Sequence, residues 1–248
     1  MSMPRKIRCT VEAITDHGGR VYTIDLAPAS PVPAFRPGQF LHLTVDDYDP
    51  SSFWPESRVF SIASSPLERS RIRLCYSVKG RYTTKMEQAL KIGGEAWIKL
   101  PYGEFVIDHT SDVVLIAGGT GISAFTAFLE ALSPHGMMAV TLIYGARTPA
   151  LFLFHEMIFA QLAMVPKLQA IFFTEIPDET FTQQLAVTPH VPRVFTGRIA
   201  LDTVWPHLDS PARQVFYLSG PPDMLKALGA DLRARGLSAE RIRTDAWE

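Results

Sequence analysis

The chain is poor in cysteine, in net charge and in long apolar runs, and each shortage excludes a class of protein. Its 248 residues include only Cys9 and Cys75, too few for a Cys₄ iron–sulfur or zinc site. A formal net charge of -1 argues against nucleic-acid binding. No stretch approaches the roughly 18 apolar residues of a membrane-spanning helix. We therefore expect a cytoplasmic globular protein without a metal site, whose redox chemistry would need an organic cofactor.

Two hydrophobic patterns divide the sequence. Through residue 107, short segments such as Val21–Leu26 alternate between apolar and polar residues, which predicts an antiparallel barrel. From residue 113, continuous apolar runs alternate with helical stretches, a pattern typical of buried parallel strands in a doubly wound α/β sheet. The polar run 108–112 separates the two patterns. The sequence thus predicts two domains, a β-barrel of residues 1–110 and a parallel α/β domain of residues 111–248.

Several helices are predicted from spacing and capping residues. In the barrel half, Thr83–Leu90 is expected to form a helix with Thr83 as its N-cap and glycines 93 and 94 as its stop. The segment from Asp46 to Glu56 is expected to be an exposed loop. In the second half, the expected helices are Ile122–Leu132, Ala150–Met164 and Asp223–Arg235.

A glycine-rich turn, residues 118–121, follows the first continuous apolar run and precedes a helix. Gly119, Gly121 and Ala124 fit the G-x-G-x-x-A spacing, in which glycines let the backbone approach a pyrophosphate at a helix N-terminus. Such turns also occur for packing alone, so the motif leaves both interpretations open. The acidic residue expected about 20 positions later is absent. Arg147 stands near that place, which is compatible with a 2′-phosphate.

Two further motifs are ambiguous on their own. Arg58 and Phe60 share one face of a predicted strand, which suits a planar phosphorylated ligand and equally suits a surface arginine beside a core phenylalanine. Gly220, Pro221 and Pro222 follow another apolar run. They mark either a ligand-binding turn at the carboxyl edge of the sheet or a helix start with proline in its first turn.

The order of the motifs resembles that of the ferredoxin–NADP⁺ reductase superfamily. R-x-F-S at 58–61, G-x-x-T at 80–83, P-x-G-x-F at 101–105, the GGTGI turn and the GPP turn follow one another in the family's order. The resemblance covers nearly the whole chain, from Phe35 to Trp247. It implies that the barrel binds FAD and that the α/β domain binds NAD(P)H.

The resemblance also assigns flavin-contacting residues. Arg58 would contact the FAD pyrophosphate, Phe60 would pack on the isoalloxazine, and the Ser61 hydroxyl would approach N5. Thr83 would cap the helix that receives the pyrophosphate, and Trp247 would cover the flavin, unless it only anchors the C-terminal tail. The full implied FAD set is Arg58, Phe60, Ser61, Tyr76, Ser77, Val78, Gly80, Tyr82, Thr83 and Trp247.

A second set of residues would bind the pyridine nucleotide. Ser219 stands where the family usually has a cysteine beside the nicotinamide, and Asp245 stands where plant-type members have a proton-relay glutamate. The resemblance thus makes Ser61, Ser219 and Asp245 the catalytic residues. Glu175 would repel a 2′-phosphate if it lies close, whereas Arg147 could bind one, so the choice between NADH and NADPH stays open with a slight preference for NADH. The implied NAD(P)H set is Gly119, Thr120, Gly121, Arg147, Gly220 and Pro221.

The function that the resemblance implies is an FAD-dependent oxidoreductase, which passes hydride from NAD(P)H to flavin N5 and electrons to a separate acceptor. The acceptor would be a ferredoxin, a haem or oxygenase component, or a small molecule. A basic hairpin at Arg69, Arg71 and Arg73 could dock an acidic carrier or be only a solvated face. The alternatives are an electron-transfer subunit with little independent NAD(P)H turnover and a flavin-free scaffold.

Overall fold

The computed structural model describes residues 3–107, 110–178 and 192–245. Its contacts divide the chain into two compact units. The first consists of Met1–Val106 with Ser123–Phe128, and the second of Ile107–Ile122 with Leu129–Glu248. The expected domain boundary between residues 110 and 111 stays a prediction.

The first unit contains a six-stranded sheet in which every pairing is antiparallel. Its strand order is β4-β3-β6-β1-β2-β5. Just beyond β4, the backbone N–H of Ala63 donates to the carbonyl of Arg73 in β5 at 2.8 Å, so the two outer strands meet and the barrel is nearly closed. The strands are β1 Arg5–Asp16, β2 Val21–Pro28, β3 Phe40–Thr44, β4 Arg58–Ser61, β5 Ile72–Ser77 and β6 Glu95–Tyr102.

Strand β1 is absent from the sequence prediction, although its pattern is regular. Ile7, Cys9 and Val11 are buried and the residues between them are exposed. This period of two places one face of the strand in the core and the other in solvent. The buried face joins an apolar core to which β2, β3, β5 and β6 contribute buried residues, and against which Phe60 of β4 packs.

Helix α1, Arg81–Ala89, begins two residues before the predicted start. Gly80 is the N-cap, so the prediction that Thr83 caps the helix is wrong. Thr83 lies inside the first turn, where its Oγ1 accepts hydrogen bonds from the backbone N–H groups of Lys79 (3.0 Å) and Gly80 (3.1 Å). The Thr83 hydroxyl therefore binds the backbone just before the helix from a position inside the first turn. A sequence pattern of Thr followed by apolar residues does not distinguish this arrangement from an N-cap.

The second unit contains a six-stranded sheet that is parallel throughout. All six residues of β7 are buried, as expected of a parallel strand covered on both faces. The predicted architecture, an antiparallel barrel followed by a parallel α/β sheet, is confirmed. The strands are β7 Val113–Gly118, β8 Val140–Ala146, β9 Leu168–Thr174, β10 Arg193–Thr196, β11 Val215–Ser219 and β12 Ile242–Asp245.

The order of this sheet, β10-β9-β8-β7-β11-β12, creates a topological switch point. From β7 the chain builds outward through β8, β9 and β10, and then returns to the other side of β7 with β11 and β12. Ala117 and Ser219 are partners in the register of β7 and β11, so the carboxyl ends of these strands lie side by side. Ligands of open parallel sheets bind at such a point.

Two of the three helices predicted in the second half are shorter than predicted, and the third, Pro222–Ala234, has the predicted length but begins one residue earlier. Gly119–Ile122 forms a 3₁₀ turn before α2, a conformation that is frequent at the N-termini of helices. Phe154 adopts a left-handed conformation with φ 59°, which separates α3 from the predicted start at Ala150. No described helix is long and apolar enough to cross a membrane. The helices are α2 Ser123–Glu130, α3 His155–Met164, α4 Leu201–Val204 and α5 Pro222–Ala234.

Candidate functional site

Arg58 lies at the start of β4 in a small charged cluster. Its guanidinium carbon is 4.6 Å from the centre of the Tyr82 ring, and Nη2 donates to Glu56 Oε1 at 2.9 Å. The second oxygen of Glu56 contacts Arg81 at 3.3 Å. Two guanidinium groups thus share one carboxylate, which leaves a net positive charge beside the N-terminus of α1.

Tyr82 is buried, and its hydroxyl is held by backbone groups of the barrel. Its hydroxyl donates to the Glu56 carbonyl at 2.8 Å and accepts from the Val45 N–H at 3.2 Å. These bonds fix the ring that lies under Arg58. The structure therefore places Tyr82 as a support for Arg58, whereas its own contact with a cofactor stays a prediction.

The N-terminus of α1 has features that fit a phosphate group. Gly80 has no side chain with which to cap the helix, and a Cβ added there would meet no atom within 4 Å. The space beside Gly80 is therefore open, and it lies at a helix N-terminus next to the arginine cluster, a combination that favours anions. These residues of the barrel are suitable for the pyrophosphate of a dinucleotide.

The other predicted flavin residues lie on β4 and β5, the two outer strands that meet in the barrel. Phe60 is half-buried, and its ring packs edge to face on that of Tyr76, at an interplanar angle of 60° and with 6.2 Å between ring centres. Tyr76 in turn stacks on Tyr22 at 5.4 Å, and burial raises the pKa of Tyr76 to about 12. Ser61 is buried. Ser77 and Val78 follow Tyr76 at the end of β5, both half-buried.

In the second unit, the glycine turn and the turn after β11 touch backbone to backbone. A Cβ at Gly121 would overlap the Ser219 carbonyl, and one at Gly220 would lie 3.0 Å from the Gly118 nitrogen. Gly119 has φ +54° and open space around it. Packing therefore accounts for Gly121, while Gly119 lies where the backbone is exposed to an approaching ligand.

Ser219 and Asp245 end the neighbouring strands β11 and β12, where they are register partners. The Ser219 hydroxyl donates to Asp245 Oδ2 at 2.9 Å, and both side chains are buried, each 3% exposed. The structure thus joins two of the residues that were predicted to be catalytic. Pro221 is the N-cap of α5, one residue beyond Gly220. Trp247 lies outside the described residues.

Arg147 and Glu175 lie on adjacent loops at the carboxyl edge of the same sheet. The Ile176 N–H donates to the Arg147 carbonyl at 2.9 Å, which ties the two loops together. The Arg147 side chain is exposed. Glu175 forms an ion pair with Arg198 at 3.5 Å, so part of its negative charge is compensated.

The hydroxyl of Tyr144 also lies at this edge of the sheet, although the sequence did not predict Tyr144 as a site residue. It lies 3.2 Å from the Gly119 carbonyl and accepts from the Leu153 N–H at 3.0 Å. The phenolic hydroxyl of the only tyrosine in the buried strand β8 was the available signal, because a buried phenolic hydroxyl requires partners.

The basic hairpin offers less free charge than its sequence indicates. Arg73 forms a bidentate pair with Asp25 at 2.7 and 2.8 Å, and Arg71 pairs with Glu68 at 2.7 Å. The Arg69 guanidinium donates to the Val32 carbonyl at 2.7 Å. These contacts reduce the attraction that the hairpin would exert on an acidic carrier.

The loop of residues 46–56 is more organised than the sequence predicts. The rings of Tyr48, Trp54 and Trp97 pack edge to face with centres 5.2 Å apart. The loop borders a cavity of about 530 Å³ on the barrel, which contains none of the predicted site residues. Within the described part of the chain, no group of three or more His, Cys, Asp or Glu side chains could hold a metal ion.

A barrel with an arginine and helix N-terminus, followed by a parallel sheet with paired turns at its switch point, is the two-domain fold of ferredoxin reductase-like proteins. The cytochrome P450 reductase of Amycolatopsis has this fold, with a TM-score of 0.77 and 24% identity over 98% of this chain and 69% of that one. The likeness shows the fold. No protein-family model matches the chain.

Sequence relatives belong to the same group of proteins. The chain is 27% identical over 261 residues to the reductase component of propane 2-monooxygenase from Rhodococcus jostii (strain RHA1), covering 97% of this chain and 63% of that protein. It is 34% identical over 151 residues to the NAD(P)H-flavin reductase of Aliivibrio fischeri, covering 57% and 61%. These similarities in sequence and fold are consistent with the ferredoxin–NADP⁺ reductase superfamily, which the order of the motifs resembles. It spans less than two thirds of the length of either relative.

Proposed function

We propose that the chain is an FAD-dependent oxidoreductase that takes hydride from NAD(P)H and passes electrons to a separate acceptor. The observation that carries the proposal is that the glycine turn and the turn after β11 touch at the switch point of the sheet. The buried Ser219–Asp245 pair lies at the same point. The arginine cluster at the N-terminus of α1 supports the flavin part of the proposal. The domain division that goes with it assigns residues 1–110 to FAD and residues 111–248 to NAD(P)H.

In the barrel, Arg58 and the first turn of α1 would bind the FAD pyrophosphate through a guanidinium and backbone N–H groups. Phe60 would cover one face of the isoalloxazine, and Ser61 would hydrogen-bond near its N5. When bound, FAD would supply the conversion between two-electron and one-electron chemistry.

In the α/β unit, Gly119, Thr120 and Gly121 would hold the pyrophosphate of NAD(P)H. Ser219 and Gly220 would set the position of the nicotinamide, since orientation is what the protein contributes to a cofactor reaction. Asp245 would hold or release a proton at its carboxylate through the hydroxyl of Ser219.

The acceptor is proposed to be an oxygenase component or a ferredoxin. The Rhodococcus relative is the reductase component of an oxygenase, and this chain is similar to it over most of its own length. Both cysteines are buried thiols, in keeping with the cytoplasmic location expected from the sequence.

Stopped-flow mixing of the purified protein with NADH or NADPH tests the proposal. We expect a yellow protein whose absorbance near the flavin maximum bleaches after mixing with at least one nucleotide. A yellow protein that neither nucleotide bleaches would instead support the electron-transfer subunit. A colourless protein that does not take up added FAD would contradict both.

A further inference from the structure

We propose that Tyr144 is a positioning residue for the pyridine nucleotide, because its hydroxyl ties together the glycine turn and the loop that carries Arg147. The inference rests on the proposed function, since it concerns how this unit would bind NAD(P)H. No part of the resemblance assigns a role to this residue.

The first observation is the hydroxyl's environment. Tyr144 is fully buried in β8, and its ring packs against Phe152 and Phe172 with centres 5.2 and 6.1 Å away. A phenylalanine would satisfy these apolar neighbours equally well. The hydroxyl therefore serves the backbone groups around it, since burying a polar group without partners costs free energy.

Those backbone groups belong to two separate segments. On one side, the hydroxyl is 3.2 Å from the carbonyl of Gly119 in the turn after β7. On the other side, it accepts from the Leu153 N–H at 3.0 Å and is 3.2 Å from the Leu151 carbonyl. One hydroxyl group thus fixes the distance between the turn and residues 151–153.

The position of Gly119 makes this contact important for binding. Gly119 has φ +54° and no atom within 4 Å of an added Cβ, so no group packs against that side of it. Because the peptide bond is planar, holding the Gly119 carbonyl fixes the orientation of the whole peptide that joins it to Thr120. That peptide lies in the part of the turn that is proposed to meet the pyrophosphate.

The other segment begins immediately after Arg147. The chain passes from β8 through Arg147 and Thr148 into the turn Pro149–Leu151, which the Tyr144 hydroxyl holds. The same hydroxyl therefore sets the position of both nucleotide-contacting segments of this edge. Preorganised segments of this kind bind their ligand without first paying the entropy of becoming ordered.

The test replaces Tyr144 with phenylalanine, which removes only the hydroxyl. We expect the KM for the preferred nucleotide to rise about tenfold with kcat within about twofold of the original value, in line with the loss of buried hydrogen bonds. Flavin content should not change. Amide hydrogen exchange should become faster in both residues 118–122 and 149–153, measured without nucleotide.

Val204→Ala is the control for a general loss of stability. Val204 is fully buried in the core of the same unit, and its truncation should lower the melting temperature as much as or more than Tyr144→Phe while leaving the KM unchanged. If the wild type is active and Tyr144→Phe changes neither the KM nor the amide hydrogen exchange, the inference is wrong while the proposed function stands. A wild type that neither binds nor oxidises either nucleotide would overturn the proposed function and the inference with it.

Discussion

The hydroxyl of Ser219 donates a hydrogen bond of 2.9 Å to Asp245 at the adjoining carboxyl ends of β11 and β12, where both side chains are buried. The serine thus uses its one proton within the protein and presents oxygen lone pairs to its other neighbours. A cysteine, the family's usual residue at this position, would be a weaker donor. The hydrogen bond between Ser219 and Asp245 is therefore stronger than the one that a cysteine would donate to the same aspartate.

We predict that Ser219→Ala slows the bleaching of the flavin by NAD(P)H by about tenfold or more and lowers stability by about 1–3 kcal/mol. The buried carboxylate loses a hydrogen-bond donor, and the nicotinamide loses a polar neighbour. Stopped-flow rates and thermal unfolding measure the two effects. Ser133→Ala, at an exposed position of the same unit, should change neither. A bleaching rate equal to that of the wild type would remove Ser219 from the reaction.

Coenzyme choice should depend on the loops after β8 and β9. We predict a higher kcat/KM with NADH than with NADPH, and a rise with NADPH alone in Glu175→Gln, because the carboxylate no longer repels a 2′-phosphate. Arg147→Ala should lower kcat/KM with NADPH more than with NADH. Steady-state kinetics of the wild type and both variants with a dye acceptor give all six values of kcat/KM. Equal effects of both changes on the two nucleotides would show that neither side chain meets the 2′ position.

Flavin retention should depend on Arg58. In Arg58→Ala we predict at least a tenfold weaker FAD affinity, since the phosphate partner is lost while Tyr82 and its hydrogen bonds stay in place. The FAD affinity of Arg58→Lys should lie between that of the wild type and that of Arg58→Ala, because an ammonium keeps the charge but not the fork geometry of a guanidinium. The ratio of flavin to protein absorbance after dialysis, together with titration by FAD, measures this.

The matched control for that experiment is Arg5→Ala. Arg5 is an exposed arginine at the start of β1 in the same unit, and its removal changes the net charge by the same amount. If both variants lose flavin equally, the cause is the overall charge and the assignment of Arg58 is wrong.

The two thiols should be unreactive in the folded protein. Burial raises the pKa of Cys9 and of Cys75 to about 12, and only the thiolate is nucleophilic. At pH 8 the thiolate fraction would be roughly 10⁻⁴, against roughly a quarter for an exposed thiol of pKa about 8.5. Mass spectrometry after iodoacetamide treatment should find no adduct in the native protein and two adducts in urea. Rapid native labelling at pH 8 would contradict the burial.

The architecture could be predicted because each half repeats one simple pattern. The continuous apolar runs gave β7, β8, β9 and β11 to within about two residues, since strands covered on both faces admit little else. Strands β10 and β12 are short and partly exposed at the edges of the sheet. They form as strands because they pair with β9 and β11. Such pairing is a tertiary contact, so a local sequence pattern does not reveal it.

The site was predictable only where motif spacing defines it. The family spacing located Ser219 and Asp245, and the structure joins them by a hydrogen bond. Thr83 was misplaced because a hydroxyl in the first turn can bond to the N-cap backbone as well as act as the cap. Tyr144 was missed because its partners lie in turns 25 and 9 residues away along the chain, and only the folded sheet brings them together.

The close approach of Gly121 to the Ser219 carbonyl has a consequence for how such a chain can change over evolution. The smallest added side chain at position 121 would push against the backbone of a turn about a hundred residues downstream, and a side chain at Gly220 would push back against Gly118. Neither turn can accept a bulkier residue while the other keeps its shape. A substitution in one of these two turns should therefore be accompanied, in related proteins, by a compensating substitution in the other.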